Sequence, residues 1–249
     1  MFAFIEECIK ANKEIYEHIN FNLKPEDFSY HGKIGAGGDK SLQMDLRCES
    51  IFVKYLSSFG NIYSEEAGFI ETSNTNHKNI KITIDPLDGS ENFLSSFPYY
   101  GTAVAYEDES GVKIGIVCNL INGLVYTKNE EKLQITYDLN ANIVDDKVLQ
   151  CGETKFGIFE RSYFFPEISL KLRDNKLKFR SPGAVALSFA CAKYYSFVLF
   201  YGNIREFDIK AALYICNDLY IYQTKEILLV SKNKEIFCKL KNLLNNNRL

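Results

Sequence analysis

Two carboxylates three positions apart, Asp85 and Asp88, stand in the run Asp85-Pro86-Leu87-Asp88-Gly89-Ser90-Glu91-Asn92-Phe93. Their oxygens are the hard donors that Mg2+ prefers, and Gly89 and Ser90 would open a following helix with N–H groups aimed at an anion. Pro86 fixes its own φ, while Gly89 lets the backbone approach a neighbour closely. Metal and phosphate would then meet in one place. A plain turn reads the same way, because Asp-Pro and Asp-Gly are common turn pairs. The surrounding residues have to separate the two readings.

Four further acids are candidates for the same place. Ser64-Glu65-Glu66 ends a short strand; adjacent glutamates are ordinary at a solvated strand end, yet neighbouring strand ends converge on one sheet edge and can bring a carboxylate to the same cation. Asp45 lies near the start of a helix whose apolar face is Leu42, Leu46, Ile51, Phe52, Tyr55 and Leu56. It either reaches into a site or simply complements the helix dipole. Asp208 stands at a loop-to-helix junction in Arg205-Glu206-Phe207-Asp208, as a further site acid or as an N-cap. The glycine-rich stretch 31–41 lacks the glycine that a P-loop places before Lys-Ser, where Asp39 stands instead, so it reads as a flexible loop. His18 and His31 pair with no other histidine at metal-ligand spacing and read as structural or solvated, and His77 belongs to the polar loop from Glu71 to Lys78.

These residues need a scaffold, and hydrophobic periodicity outlines one. Residues 2–20 carry an amphipathic helix, and Lys81-Ile82-Thr83-Ile84 is a buried strand, making the central run a strand-to-loop-to-helix junction. Strands at 100–106 and 113–120, with hairpins leading to 124–126 and 133–137, form an antiparallel meander. The polar stretch 138–147 is the best boundary, dividing the chain into an N-terminal α+β half (1–140) with the metal and phosphate motifs and a C-terminal α/β half (141–249). The second half has strands near 148–151, 156–160, 177–181, 197–201 and 227–231, and a helix at 166–175. Ser181-Pro182-Gly183-Ala184 opens another helix through Lys193, and a lysine- and asparagine-rich terminal helix reads as solvated.

With 249 residues, 46% of them hydrophobic, the chain can bury a large core as one α/β domain or two fused halves. A net charge of -3 argues against a broad nucleic-acid surface. Glu6 and Glu7 interrupt the apolar start too early for a signal peptide, and no apolar stretch nears membrane-span length, so a cytoplasmic protein is expected. Seven cysteines without a C-x-x-C pair exclude a zinc knuckle or redox motif and read as reduced core thiols.

The elements Asp39 to Asp45, Ser64-Glu65-Glu66, Asp85 to Ser90 with Asn92-Phe93, and Phe207-Asp208 with Ala211-Ala212 follow one another in an order that resembles the inositol monophosphatase family. That family comprises metal-dependent, lithium-sensitive phosphatases and includes fructose-1,6-bisphosphatases. Ser90 and the lead-in Gly38-Asp39-Lys40-Ser41-Leu42-Gln43-Met44-Asp45 look most like archaeal-type members that accept both inositol and fructose phosphates. The resemblance implies an α/β (α+β) fold, a layered αβαβα sandwich. It also implies hydrolysis of small sugar or polyol phosphate monoesters by metal-activated water, in a homodimer.

By the same resemblance Glu65, Asp85 and the Leu87 carbonyl hold one Mg2+, Asp85, Asp88 and Asp208 a second, and Glu66 assists a third, with Mn2+ able to substitute. The resemblance implies Glu65, Asp45 and Ser90 as the catalytic residues, the last two orienting the water. Gly89, Ser90, Ser181, Gly183 and Ala184 are implied on the phosphate side, and Tyr201 and Arg205 on the substrate side. Several positions depart from the family pattern. Phe207 replaces a tryptophan, Tyr201 a glutamate that touches inositol hydroxyls, and Asn217-Asp218 lie near where a double glycine is usual. Lys210 replaces an alanine and either disturbs the second metal or points outward. Arg205 is either a fork for a second anionic group or a solvated loop residue. A 3'-phosphonucleotidase and a catalytically weak phosphate- or metal-binding homologue are the rival readings.

Overall fold

The computed structural model describes residues 2–72, 74–131, 134–140, 143–144, 152 and 154–245. Helices α1 (Phe2–Phe21) and α2 (Gln43–Leu56) lay their apolar stripes, Phe4, Cys8 and Ile15 on one and Met44, Cys48 and Phe52 on the other, against one face of an eight-stranded sheet. Its strands are β3 (Asn61–Ser64), β4 (Gly68–Ile70), β5 (Lys81–Asp88), β6 (Gly101–Asp108), β7 (Gly111–Asn119), β8 (Leu124–Lys128), β9 (Gln134–Asp138) and β10 (Ile143–Val144), in the order β10-β9-β8-β7-β6-β5-β3-β4. The expected meander is β6 to β9. The stretch expected to be a flexible loop is instead a hairpin, β1 (Tyr30–Ile34) with β2 (Lys40–Leu42), whose turn carries the glycines.

A second sheet of five strands is built from β11 (Phe156–Glu160), β12 (Lys178–Arg180), β13 (Val198–Tyr201), β14 (Tyr220–Gln223) and β15 (Ile227–Ser231), in the order β12-β11-β13-β15-β14. Between the sheets lie α5 (Val185–Ala190) and α6 (Glu206–Ile215). Their small residues Ala186, Ala190, Ala211 and Ala212 pack against Ala103, Ala105 and Val117 on one side and Val198, Phe200 and Val230 on the other. On the outer face, α4 (Pro166–Asp174) and α7 (Lys234–Asn245) bury Ile168, Leu172, Leu240 and Leu244 against Phe159, Phe197 and Leu229. The layers therefore run helix, sheet, helix, sheet, helix, as expected. The terminal helix is not solvated all round: Leu240 and Leu244 each contribute roughly 1.5–3 kcal/mol by leaving water. Strand β14 carries no signal strong enough to be expected from sequence. Of the expected boundary and the strand near 148–151, residues 141–142 and 145–151 lie outside the described residues.

Two contacts fix α6 on the large sheet. A Cβ built on Gly115 of β7 would lie 2.5 Å from the Ala211 carbonyl oxygen, so only glycine lets the helix backbone rest there. At the other end the buried Lys128 ammonium donates to the Ile215 carbonyl (3.1 Å), Asn217 (2.7 Å) and Asp218 (2.8 Å), satisfying the last turn of α6 with a cation. Asn217 and Asp218, the pair that departs from the pattern of the resemblance, thus serve as acceptor and anion for this lysine.

Candidate active site

Strand pairing explains why residues distant in sequence meet. Strands β3 and β5 run parallel with Ser64 beside Ile84, so the next residues, Glu65 and Asp85, emerge together at the same sheet edge. The β5–β6 register then slips: Asp85 faces Ala103 and Asp88 faces Gly101, three steps on one strand against two on the other. In a regular strand Asp85 and Asp88 would point to opposite faces, and the extra residue of this bulge returns both to one side. Past it, Gly89 adopts a left-handed conformation (φ 93°) and starts the short helix α3 (Ser90–Leu94). Only glycine suits this position, because a Cβ would also press on Ala184 and the Tyr99 carbonyl at 3.2 Å.

These acids line a cleft of about 650 Å³. Carboxylate oxygens of Glu65, Asp85 and Asp208 lie within 4.8 Å of one another. Asp208 arrives from the first turn of α6, where it is buried rather than serving as the N-cap. Burial raises the Asp85 carboxyl well above the usual range, and Glu65, Asp88 and Asp208 raise it further. Burial likewise pushes Glu65 up to about 7 against the pull of Arg205. Asp88 is raised by burial, although the Leu187 amide at the start of α5 donates to its Oδ2 at 2.8 Å. Glu65, Asp85 and Asp88, whose burial disfavours the charged form, offer oxygen donors that fit a hard divalent cation.

Beside this cluster, Ser90 Oγ donates to Asp45 Oδ1 (2.9 Å) and lies 3.0 Å from the Leu87 carbonyl oxygen, while the Leu42 amide donates to Asp45 Oδ2 (2.7 Å). Burial lifts Asp45 to about 6, with those two donors pulling it back. Glu66, raised to about 7 by burial, accepts from Ser41 Oγ. The glycine turn of the first hairpin closes over both glutamates: the Ala36 amide donates to the Glu66 carbonyl and the Gly37 amide to the Glu65 carbonyl (3.0 and 2.7 Å). A Cβ at Gly37 would fall 2.5 Å from Glu65 Cγ, so glycine is required for this close approach.

Most of the expected site residues are brought together, namely Asp45, Glu65, Glu66, Asp85, Leu87, Asp88, Gly89, Ser90, Ser181, Gly183, Arg205 and Asp208. Two are not. Ala184 is buried behind Gly89, and Tyr201 does not line the cleft: alternation along β13 sends it to the outer face with Leu199, where its ring packs on Phe165. Arg205 lines the cleft but turns its fork inward, onto Asp208, Glu65 and Asp39, rather than toward a remote anion. Lys210 points outward to Glu107 and Glu206. His18 is structural, 2.7 Å from the buried Asp27 that Arg47 also pairs with. One buried site residue has no sequence signal at all. Glu160, at the end of β11, accepts from the Gly183 amide (2.9 Å) and Ser188 Oγ (2.6 Å) and holds the 181–184 turn at the cleft wall. Asn92 Nδ2 supports the same turn through the Pro182 carbonyl (2.7 Å).

Comparison with known proteins agrees with this architecture. A fructose-1,6-bisphosphatase/inositol-1-monophosphatase of Methanothermobacter thermautotrophicus is 28% identical over 227 residues, 85% of this chain and 80% of that protein. Other curated relatives match over less of their length: the chain spans about half (51%) of an inositol-1-monophosphatase of Mesorhizobium japonicum and 30% of a bifunctional NADP phosphatase/NAD kinase of Methanocaldococcus jannaschii, each at 28% identity. The crystal structure of an inositol monophosphatase–fructose 1,6-bisphosphatase superposes with a TM-score of 0.76 at 22% identity, covering 96% of this chain and 99% of that one, a likeness of fold. The suhB extragenic suppressor protein of Bartonella henselae superposes at 0.75 with 18% identity over 98% of this chain and 99% of its own. The model of the inositol monophosphatase family matches residues 5–219, and the chain belongs to that family.

Proposed function

We propose that the protein is a divalent-cation-dependent phosphatase acting on small sugar or polyol phosphate monoesters. The observation that carries this reading is the convergence of Glu65, Asp85 and Asp208 to within 4.8 Å, next to the hydrogen-bonded Ser90–Asp45 pair. Glu65, Asp85 and the Leu87 carbonyl would hold one Mg2+, Asp85, Asp88 and Asp208 a second, and Glu66 would assist a third, with Mn2+ able to replace it. A bound cation supplies the charge that lowers the pKa of water and neutralises phosphoryl oxygens. The chain does the rest. The opening amides of α3, at Gly89 and Ser90, have no acceptors within the helix and bind phosphate oxygens. Ser90 Oγ orients the attacking water, and Asp45, ionised at neutral pH and fixed by the Leu42 amide, receives the proton through that hydroxyl. Glu160 keeps the 181–184 turn in place on the opposite wall.

A second reading has its own support. Tyr163 lines the cleft with 73% of its surface exposed, a ring on which a nucleobase can stack, and NADP phosphatases are among the relatives. Buried free thiols at Cys8, Cys48 and Cys118 support a reducing, cytoplasmic setting, and a homodimer follows the family habit. No helix among the described residues is long and apolar enough to cross a membrane. The test is phosphate release with Mg2+ from inositol 1-phosphate, fructose 1,6-bisphosphate, NADP and adenosine 3',5'-bisphosphate. Sugar or polyol substrates should be turned over fastest, chelator should abolish release, and Asp85→Asn should lose at least about a hundredfold. Release that survives chelator, or an Asp85→Asn enzyme of full activity, refutes the reading; preference for the nucleotides favours the second one.

A further inference from the structure

Arg205 occupies an unusual place for a cation. It is the N-cap residue of α6, and its guanidinium spans the acidic cluster. Nε and Nη2 donate to the two oxygens of Asp208 (3.0 and 2.8 Å), so both are engaged by one fork. Nη1 lies 2.7 Å from Glu65 Oε1 and also donates to Asp39 (2.9 Å) and the Gly37 carbonyl (3.3 Å). The arginine side chain is 21% exposed and that of Asp208 only 3%. Two of the three convergent carboxylates therefore already have a positively charged partner supplied by the protein itself, while Asp85 Oδ1 accepts from the Leu87 amide (3.1 Å).

We propose that Arg205 is a resident counter-cation that competes with the divalent ion for Asp208, so that the chain takes its second ion only by displacing this fork. The inference rests on the cation-dependent reading above and adds to it an order of filling. A first ion would be held by Asp85, the Leu87 carbonyl and the Glu65 carboxylate, which a single guanidinium nitrogen touches, against two on Asp208. A second ion must break the paired bonds between Arg205 and Asp208, whose flat two-oxygen geometry a lysine ammonium cannot reproduce. The fork also steadies the cluster before any ion arrives, because it offsets like charges that would otherwise repel at close range. Asp39, 79% exposed in the hairpin turn, is the outer anchor to which the displaced guanidinium stays attached.

The test is Mn2+ binding to the metal-stripped protein, followed by calorimetry and by the paramagnetic signal of free Mn2+, on the parent chain, Arg205→Ala and Arg205→Lys. The parent should bind one ion tightly and a second about tenfold or more weakly. Arg205→Ala should tighten the second site by about tenfold, and Arg205→Lys should tighten it by a smaller but clear factor, since the charge remains but the fork is lost. The stripped Arg205→Ala protein should also melt lower than the parent, with Mn2+ restoring the difference. Unchanged or weaker second-ion binding in Arg205→Ala overturns the competition while leaving the cation-dependent reading intact. Parent-like affinity in Arg205→Lys overturns it as well, because the effect would then be one of net charge alone. Failure of all three proteins to bind Mn2+ overturns both.

Discussion

Removing the Ser90 hydroxyl should separate the proposed water orientation from the proposed phosphate binding. Ser90 Oγ donates to the buried Asp45 Oδ1 at 2.9 Å, and its main chain supplies one of the opening amides of α3. Ser90→Ala deletes the first contact and leaves the second. A hydrogen bond to a charged group contributes about 1.5–3 kcal/mol, which corresponds to a fall in kcat of roughly ten- to hundredfold with KM little altered. The same substitution changes the pH profile. Burial holds Asp45 at about 6, and the Leu42 amide and Ser90 hydroxyl are what keep it from rising further. Losing one of those donors raises the carboxyl again, so at any given pH less of it is ionised. The acid limb of kcat should therefore move to higher pH, and the defect should be larger near pH 6 than near pH 8. Steady-state phosphate release across this range at saturating Mg2+ measures both effects, and Ser90→Thr, which keeps the hydroxyl, should recover most of the rate. A variant whose KM rises while kcat and its acid limb stay at parent values would refute the reasoning and leave Ser90 as a phosphate-binding residue.

Two other outcomes follow from burial and packing. In chelator, Glu65 has a folded pKa of about 7 against 4.5, so the folded state holds its proton longer than the unfolded one and stability declines as pH rises between those values. Melting temperatures at either end of that window should show it, with Glu65→Gln reducing a slope that Glu66 and Asp85 share and Mg2+ reversing it at the upper end; a melting temperature that climbs through the window contradicts the account of carboxyls held up by burial. Gly115→Ala places a methyl 2.5 Å from the Ala211 carbonyl oxygen and should cost about 1–3 kcal/mol in urea unfolding while weakening the site by lifting α6. A parent-like midpoint would show that the helix does not rest on that glycine.

The central run was legible because its chemistry is local: a strand, a proline, two acids and a glycine must follow one another to build a bulge and a helix start. The pairing of Glu65 with Asp85 was legible for a related reason, since parallel neighbours end at one edge. Glu160 was hidden because its partners, Gly183 and Ser188, lie 23 and 28 residues away and a lone glutamate ending a strand has no pattern. Arg205 could be placed near Asp208 by sequence, but the direction of a long side chain depends on acids contributed by a separate sheet. The position of Tyr201 turned on the phase of β13, where one step of alternation decides between cleft and outer face. The terminal helix misled for a simpler reason. Its lysines and asparagines lie among the exposed or half-buried positions, while Leu240 and Leu244, with Ile236, Phe237 and Leu243 beside them, do the packing.

The middle helical layer has a consequence for how the chain is made. The inner face of the large sheet, with Ala103, Ala105 and Val117, is complete by β9, yet the helices that cover it include Val185–Ala190 and Glu206–Ile215. A ribosome moving at about 5–20 residues per second exposes that apolar face for several seconds before its cover emerges. Until then the nascent sheet is a half-built surface with every tendency to adhere to a neighbour, and the acids at its edge have no Asp208 or Arg205 beside them. Synthesis through residue 215 thus supplies, on one helix and its N-cap, both part of the cover for that face and the Asp208 and Arg205 side chains of the charge cluster.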